Sequence, residues 1–354
     1  MHQLLIAVDS VGIDPLGHDR PDSIYSESRY LFPTGKTGGV LPVACGDWTG
    51  NLVETEVAAP DSPGAIECAI TYTSIFSGRS ALDAHGLMRG LGLRDQCLEQ
   101  LIDESNLFAQ FENPCLANAV FPAHLRFLGS SYVADLVPTF DREQIEGKLI
   151  FARRPVSFRG PDRSGFAELF TLAEINQNVF VYAARRAGVP LLTWDDVRQG
   201  RALTSSLTHD LERQFDVGLF DQAALPERTI DEAADILARL VQRHDFTFYK
   251  YQIPDLVSHT GRVDLARETF HTIERFIEAI LNHLDPCRMS VIVTSDHGHL
   301  EQVEASGGHP KSKVPTWHFG SKSDTADQLR RPEGVFEVLL AGKPRSIRAT
   351  QSVL

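Results

Sequence analysis

Residues 291–301, VIVTSDHGHLE, decide how the fold and the chemistry of this chain are interpreted. Residues 291–295 suit the middle of a sheet, yet they end abruptly in the polar sequence DHGH. A buried strand that simply turned would more naturally end in Gly, Asn or Pro. A carboxylate beside an imidazole at the carboxyl end of an apolar strand stands where open α/β sheets bind ligands. The alternative is a turn that begins with Asp296 and is followed by a His by chance. Whether other parts of the chain supply further polar residues for the same site decides between the two interpretations.

Two other apolar stretches also lead into acidic residues. Residues 4–8 (LLIAV) precede Asp9, and residues 246–253 (FTFYKYQI) precede Asp255 and His259. Asp255 and His259 are four residues apart, so one helical turn places them on the same face, although a solvated helix start has the same spacing. Several carboxylates buried at one sheet edge are costly unless cations compensate them. Together these residues predict bound metal ions, and mixed carboxylate and imidazole ligands suit Zn²⁺ or Mn²⁺.

The alternation of strands and helices predicts an α/β fold with a mostly parallel sheet covered by helices on both faces. Helices are predicted over 80–91, 166–187, 230–244 and 263–284, and strands over 4–8, 52–58, 189–194, 246–253, 290–295 and 334–341. Residues 13–52 are predicted to be mostly loop. Short, mixed elements between 94 and 222 predict an inserted α+β cap domain over 94–222, within a catalytic core formed by 1–93 and 223–354.

Composition narrows the classes of function. The chain has 354 residues and a formal net charge of −13, which argues against a nucleic-acid partner but not against an anionic substrate. Its five cysteines are odd in number and lack CxxC spacing, so we predict reduced thiols in a cytoplasmic protein. No signal-peptide core or membrane span is predicted. The sequence does not predict the oligomeric state.

The motifs VDSVGID, IPDLVSH, TSDHGHLEQ and GGHPKSKVP resemble those of the alkaline phosphatase superfamily, especially the branch of cofactor-independent phosphoglycerate mutase and phosphopentomutase. The resemblance implies an alkaline-phosphatase-like core and a phosphatase or phosphomutase that acts on a small anionic phosphorylated metabolite. It also implies two divalent ions, Mn²⁺ or Zn²⁺, one held by Asp255, His259 and His309 and the other by Asp9, Asp296 and His297 together with the nucleophile. His318 competes with His309, and we predict a structural role for it. His299 is expected to orient a ligand.

The resemblance also implies a Ser or Thr nucleophile three residues before a Gly, where a helix N-terminus helps to bind the transferred phosphate. Ile75 holds that position before Gly78, so we assign the nucleophile to Ser74, one residue earlier. Thr73 and Ser77 are the alternatives, and a helix-capping role for these hydroxyls stays open.

The loop ARRPVSFRGPDRSG supplies four arginines, of which Arg159 and Arg163 are predicted to bind the substrate through a phosphate or carboxylate. A solvated basic loop is the alternative. Two alternatives to phosphoryl transfer also stay open. One is a sulfate- or phosphonate-ester hydrolase of the same superfamily, and the other is a metal-retaining pseudoenzyme that binds a ligand or partner without turnover.

Overall fold

The computed structural model describes residues 1–18, 20–32, 39–58, 68–85, 96–119, 179–209, 225–304, 310–320 and 323–343. Their strands are β1 (His2–Val8), β2 (Val40–Cys45), β3 (Trp48–Thr55), β4 (Pro114–Leu116), β5 (Phe246–Tyr251), β6 (Met289–Thr294) and β7 (Val314–Phe319). They form one seven-stranded sheet in the order β2-β3-β7-β6-β1-β5-β4. Strand β1 is central and runs parallel to both neighbours, β5 and β6, and β4 runs parallel to β5. On the other side, β7, β3 and β2 are joined by antiparallel pairs.

Helices cover both faces of this sheet, which confirms the predicted α/β class. The helices are α1 (Cys68–Ser77), α2 (Ala81–His85), α3 (Gln96–Glu104), α4 (Val179–Arg186), α5 (Trp194–Arg198), α6 (Ile230–Arg243), α7 (Ile253–Ser258), α8 (Val263–His283) and α9 (Glu333–Ala341). Short 3₁₀ segments occupy Phe108–Gln110, Leu300–Gln302 and Ser323–Arg330. In the described residues, no helix is long and apolar enough to cross a membrane.

Successive side chains of β1 enter two different apolar cores, because side chains alternate along a strand. Leu4, Ile6 and Val8 belong to the core that contains α6 and α8. Leu5 and Ala7 belong to the core built from α1, α3, α4 and α9. A strand buried on both faces reads as a continuous apolar run, as LLIAV does. Strand β1 is therefore held rigidly, and the residue that follows it is fixed in position.

The longer predicted elements are confirmed to within a few residues. Helix α6 begins after Thr229, whose side chain accepts a hydrogen bond from the backbone N–H of Glu232. The Glu232 carboxylate in turn accepts a hydrogen bond from the backbone N–H of Thr229. This capping box explains why the helix starts there. Helix α8 occupies Val263–His283 against the predicted 263–284. Helix α4 ends at Arg186, before Gly188 with its φ of +74°, as predicted, while residues 166–178 lie outside the described part.

Three predicted elements are wrong. The predicted strand over 334–341 is helix α9, with Val335, Phe336, Val338 and Leu339 buried at helical spacing. A short apolar run does not distinguish a buried strand from a helix by periodicity alone. The predicted strand over 189–194 is an irregular segment that leads into α5, whose first turn is closed by Thr193 and Asp196. The predicted loop over 13–52 contains β2 and most of β3.

The predicted extent of the cap domain, 94–222, stays a prediction. Within that range, β4 pairs with β5 of the central sheet, and α3 and α4 belong to the apolar core beneath it. These described segments pack on the core of the molecule. Residues 120–178 and 210–224 lie outside the described part of the chain.

Candidate metal centre

The carboxyl ends of β1, β5 and β6 lie side by side at one edge of the sheet. Val8 is in register with Tyr251, and Ala7 is in register with Thr294. The Asp9 N–H extends the ladder by donating to the Tyr251 carbonyl at 2.9 Å. Because the strands are adjacent and parallel, the polar residues that follow each of them converge. The structure thus brings Asp9, Asp255 and Asp296 to the same edge of the sheet.

Four side chains with metal-ligating atoms form a first group, the Asp9 cluster: Asp9, Cys68, Asp296 and His297. One ligand atom from each lies within 4.8 Å of the others. The His297 Nε2 atom is 3.4 Å from Asp9 Oδ1, 3.8 Å from Asp296 Oδ2 and 3.3 Å from Cys68 Sγ. His297 and Asp296 are fully buried, and Asp9 is nearly so. Carboxylate, imidazole and thiolate donors at this spacing are what a divalent ion requires.

The carboxylates of the Asp9 cluster are not fully satisfied by the protein. Asp9 Oδ1 and Asp296 Oδ2 are buried and have no hydrogen-bond partner among the described residues. Lys250 lies in the otherwise apolar β5, and its Nζ atom is 2.8 Å from Asp9 Oδ2. One ammonium thus opposes two buried carboxylates, and a buried charge without compensation is strongly destabilising. A divalent ion fits this cluster because it would supply the missing positive charge.

Electrostatic coupling shifts the pKa values of the cluster in opposite directions. Burial raises the pKa of the Asp9 carboxyl well above its ordinary value, and repulsion by Asp296 adds to the increase. Burial acts in the same sense on Asp296, but attraction by His297 and Lys250 outweighs it and lowers the pKa of that carboxyl. Burial also raises the pKa of the Cys68 thiol, as do the two carboxylates. The raised pKa values of Asp9 and Cys68 favour their protonated forms. A metal ion that binds here must displace those protons.

A second group, the His259 cluster, lies beside the first and consists of Asp255, His259 and His299. Helix α7 places Asp255 one turn before His259, and the His259 Nε2 atom is 3.4 Å from Asp255 Oδ1. The rings of His259 and His299 meet edge to face with centroids 4.7 Å apart. His299 Nδ1 is 2.9 Å from Ser258 Oγ, a contact that fixes the ring orientation. His299 therefore belongs to a candidate ligand group, whereas the sequence predicted only a supporting role.

Ser10 connects the two clusters. Its Oγ donates a hydrogen bond to Asp255 Oδ1 at 2.5 Å and lies 3.2 Å from His297 Nδ1. Its φ of +62° is a left-handed conformation that L-residues rarely adopt. A strained backbone at a polar site is common where geometry serves function. Ser10 thus fixes the positions of Asp255 and His297, one candidate ligand from each cluster, relative to each other.

The geometry does not support Ser74 as the nucleophile. Its Oγ donates to the Ile70 carbonyl at 3.0 Å and accepts from the Ala81 N–H at 2.9 Å, so it ties α1 to the start of α2. Cys68 is the first residue of α1 and lies in the Asp9 cluster. Six residues of helix move a side chain about 9 Å along the axis and about 240° around it. Ser74 and Cys68 therefore cannot reach the same point, and Ser77, which contacts the backbone of Arg79, lies farther still.

The remaining predicted site residues divide into two sets. His318 is buried in β7 with its Nε2 atom 3.0 Å from Ser290 Oγ, in keeping with the predicted structural role. His309, Arg159 and Arg163 lie outside the described residues, so their assigned roles stay predictions.

Sequence reasoning missed three residues of this site: Cys68, Lys250 and Ser10. Lys250 had a usable signal, because one cation within the apolar strand FTFYKY must find a buried partner. Ser10 directly follows a predicted ligand. Cys68 begins a helix rich in apolar residues and hydroxyls, and nothing in its local pattern separates it from a buried structural cysteine.

Parts of this chain are similar to known proteins. Residues 221–341 match the family model of the Metalloenzyme superfamily, a range that includes Asp255, His259, Asp296, His297 and His309. The 2,3-bisphosphoglycerate-independent phosphoglycerate mutase of Mesomycoplasma hyopneumoniae (strain 7448) is 24% identical over 227 residues, 63% of this chain and 39% of the relative. The enzyme of the same name from Ehrlichia canis (strain Jake) is 28% identical over 80 residues, 22% of this chain and 16% of the relative.

Among solved structures, a cold-active alkaline phosphatase from the psychrophile Shewanella sp. aligns over 98% of this chain and 100% of its own, with a TM-score of 0.45 and 10% sequence identity. The matches to the two mutases cover less than two-fifths of the length of either relative.

Proposed function

The chain is a member of the alkaline phosphatase superfamily, and we propose that it is a two-metal enzyme that transfers or hydrolyses a phosphoryl group on a small anionic metabolite. The observation that carries this proposal is the pair of adjacent ligand clusters at the carboxyl ends of β1, β5 and β6. Two neighbouring divalent ions, when bound, polarise a phosphoryl group and stabilise charge on the leaving oxygen.

The residues of each cluster have distinct tasks in this proposal. Asp9, Asp296 and His297 would hold one ion, while Asp255 and His259 would hold the other with His309 or His299. Lys250 neutralises part of the negative charge around Asp9, so that an anionic substrate is not repelled from the site. Arg159 and Arg163 would bind the substrate away from the metals, as proposed from the sequence.

For the nucleophile we propose Cys68 in place of Ser74, because its sulfur lies in the Asp9 cluster. The Cys68 thiolate would attack phosphorus, forming an S–P bond while the bond from phosphorus to the leaving oxygen breaks. The leaving oxygen takes its proton from water. Attack of water on the phosphoryl group would break the S–P bond, release phosphate and the Cys68 thiolate, and complete hydrolysis. Attack of a second substrate hydroxyl would break the same bond, release the same thiolate and complete a mutase reaction.

The test is a panel of phosphate esters assayed on metal-stripped protein with Mn²⁺ or Zn²⁺ added back. We expect metal-dependent release or transfer of phosphate, and a phosphorylated Cys68 peptide in mass spectra of quenched enzyme. Sulfate and phosphonate esters in the same panel test the alternative hydrolases. Bound metal with no turnover on any ester would favour the pseudoenzyme instead.

Two variants separate the candidate nucleophiles. Cys68→Ala should abolish turnover, whereas Ser74→Ala should retain it and lose only stability from the helix contact. Turnover that survives Cys68→Ala but not Ser74→Ala would return the role to Ser74.

A further inference from the structure

We propose that Cys68 contributes a sulfur ligand to the ion held by the Asp9 cluster, so that this site selects a thiophilic ion such as Zn²⁺ over Mn²⁺ and Mg²⁺. The inference rests on the proposed function, since it takes the Asp9 cluster to be a metal site. It assigns to Cys68 the ligand position that the resemblance gives to the nucleophile, with sulfur in place of a hydroxyl oxygen, and it adds a difference in metal preference between the two sites.

The distances within the Asp9 cluster match those of a tetrahedral zinc site. With a Zn–S bond of about 2.3 Å and a Zn–N bond of about 2.05 Å, a sulfur and a nitrogen ligand are about 3.6 Å apart. Cys68 Sγ is 3.3 Å from His297 Nε2. An oxygen and a nitrogen ligand should be about 3.4 Å apart, and Asp9 Oδ1 is 3.4 Å from His297 Nε2. Asp296 Oδ2 is 3.8 Å from the same nitrogen, and all four donor atoms lie within 4.8 Å of one another.

The position of Cys68 is fixed by its surroundings. It is the first residue of the ten-residue α1, where the helix dipole favours a thiolate. Three residues later, the Thr71 hydroxyl donates to the Asp296 carbonyl at 2.8 Å, which ties the first turn of α1 to the loop that carries Asp296 and His297. Ile70 and Ile75 anchor the helix in the core beneath the sheet. The contacts of Thr71, Ile70 and Ile75 therefore fix the start of α1, and with it the position of the Cys68 sulfur next to the cluster.

Charge balance supports a thiolate at this point. The carboxylates of Asp9 and Asp296 and a Cys68 thiolate carry three negative charges, and a divalent ion with the Lys250 ammonium carries three positive charges. The buried carboxylate oxygens without hydrogen-bond partners, Asp9 Oδ1 and Asp296 Oδ2, are directed at the same cluster. Without the thiolate, one positive charge would be left over in a buried site, which is costly.

The two clusters differ in the softness of their donors. The Asp9 cluster offers sulfur, nitrogen and oxygen, whereas the described members of the His259 cluster offer only nitrogen and oxygen. Soft thiolate ligands select Zn²⁺, while carboxylate-rich sites suit Mn²⁺ and Mg²⁺. A protein supplied with both Zn²⁺ and Mn²⁺ should therefore place zinc at the Asp9 cluster.

The test uses Co²⁺ as a spectroscopic substitute for Zn²⁺, titrated into the metal-stripped full-length chain. Wild-type protein should show an intense sulfur-to-cobalt charge-transfer band in the near ultraviolet. Cys68→Ser should lose that band and bind Zn²⁺ at this site at least about tenfold more weakly, since even the loss of a residue that only supports a ligand costs about 10–100-fold in metal affinity. Cys115→Ala removes a buried cysteine from β4, outside the cluster, and should keep the band.

A second measurement needs no variant, in case Cys68→Ser fails to fold. Zn²⁺ should protect Cys68 of the wild-type protein from alkylation by iodoacetamide at least tenfold, while the exposed Cys287 stays reactive in the same sample. Cobalt binding without a charge-transfer band, or equal alkylation of Cys68 with and without Zn²⁺, would overturn the inference and leave the proposed function standing. Failure to bind Co²⁺ or Zn²⁺ at all would overturn both.

Discussion

At the scale of single residues, the most unusual feature of the site is a buried ammonium next to the carboxylates that would hold a metal. Burial alone lowers the pKa of Lys250, but attraction by Asp9, with smaller effects of Cys68 and Asp296, outweighs burial and raises it. The ammonium also lies 5.2 Å from the centre of the Tyr72 ring, a cation–π contact. Lys250 is therefore charged, and its ammonium favours the anionic form of Asp9 against the opposing effect of burial.

Replacing Lys250 with Met should destabilise the metal-free protein by about 3 kcal/mol, the scale expected when one partner of a buried ion pair is removed. The loss should be smaller with Zn²⁺ present, because the ion compensates the same carboxylate. Urea denaturation with and without Zn²⁺ measures both. Without metal, the double variant Asp9→Asn with Lys250→Met should be more stable than Lys250→Met alone. Asp9→Asn removes the carboxylate that Lys250→Met leaves buried without a partner, so the two effects are not additive. A Lys250→Met protein as stable as wild type without metal would contradict the assignment.

His318 supplies a prediction about pH. Burial lowers the pKa of His318 to about 4, whereas an unfolded chain has an ordinary His pKa of about 6.5. The unfolded state therefore takes up a proton below pH ~6.5 that the folded state refuses until about pH 4, so stability falls as the pH falls through this interval. The difference corresponds to roughly 3 kcal/mol.

Denaturant titrations of metal-free protein between pH 7 and pH 4 measure this effect. His318→Gln should flatten the dependence by that amount, because the glutamine does not titrate. His283→Gln alters an exposed histidine at the end of α8 and serves as the matched control. Identical pH profiles for both variants would show that His318 titrates normally in the folded protein.

At the scale of elements, the sequence predicted those parts of the site that follow strands and missed those that depend on tertiary contacts. Asp255 and His259, like Asp296 and His297, follow buried apolar strands, so their location at the sheet edge could be inferred from the chain alone. Cys68 reaches the same edge because α1 packs across the core, a placement that no local pattern encodes. The strand predicted over 334–341 is helix α9 for a similar reason: packing against α1, not the short apolar run, decides its form.

The contact between α1 and α9 can be tested at a glycine. Gly78 ends α1 with a φ of +68°, and a Cβ atom there would lie 2.7 Å from a ring carbon of Phe336 in α9. Gly188, two residues after the end of α4, has a φ of +74°, and nothing lies within 4 Å of its Cβ position. Both Gly→Ala changes should cost about 1–2 kcal/mol for the left-handed backbone. Gly78→Ala should cost about 1–3 kcal/mol more, since it overpacks the core.

Thermal or urea unfolding of the two alanine variants compares them directly. Equal losses would mean that α9 can yield at Phe336 and that the helix pair is loosely packed. A selective loss for Gly78→Ala would show that α1, which carries Cys68 at its other end, is held rigidly against α9. That rigidity is what a precisely placed ligand at the start of α1 requires.

At the scale of the whole molecule, the chain carries a formal net charge of −13, and part of this charge is concentrated in two adjacent clusters at one sheet edge. The two apolar cores on either side of the sheet hold these clusters in place. Folding therefore brings together groups that repel one another in the absence of cations. Metal binding and folding should be strongly coupled, because the unfolded chain has no comparable site.

This coupling predicts how the free energy of unfolding depends on metal concentration. An ion that binds only the folded state adds about 1.4 kcal/mol of stability for each tenfold increase in its free concentration above the dissociation constant. Two sites should give about 2.7 kcal/mol per tenfold increase, and chelation should remove all of it. His259→Asn should halve this slope by disabling the His259 cluster, whereas His283→Asn should leave it unchanged. The measurement is a set of urea denaturation curves at buffered Zn²⁺ concentrations. A wild-type slope of about 1.4 kcal/mol per tenfold increase, unaffected by His259→Asn, would mean that the His259 cluster is only two histidines in ring contact beside an aspartate, and the two-metal mechanism would fail.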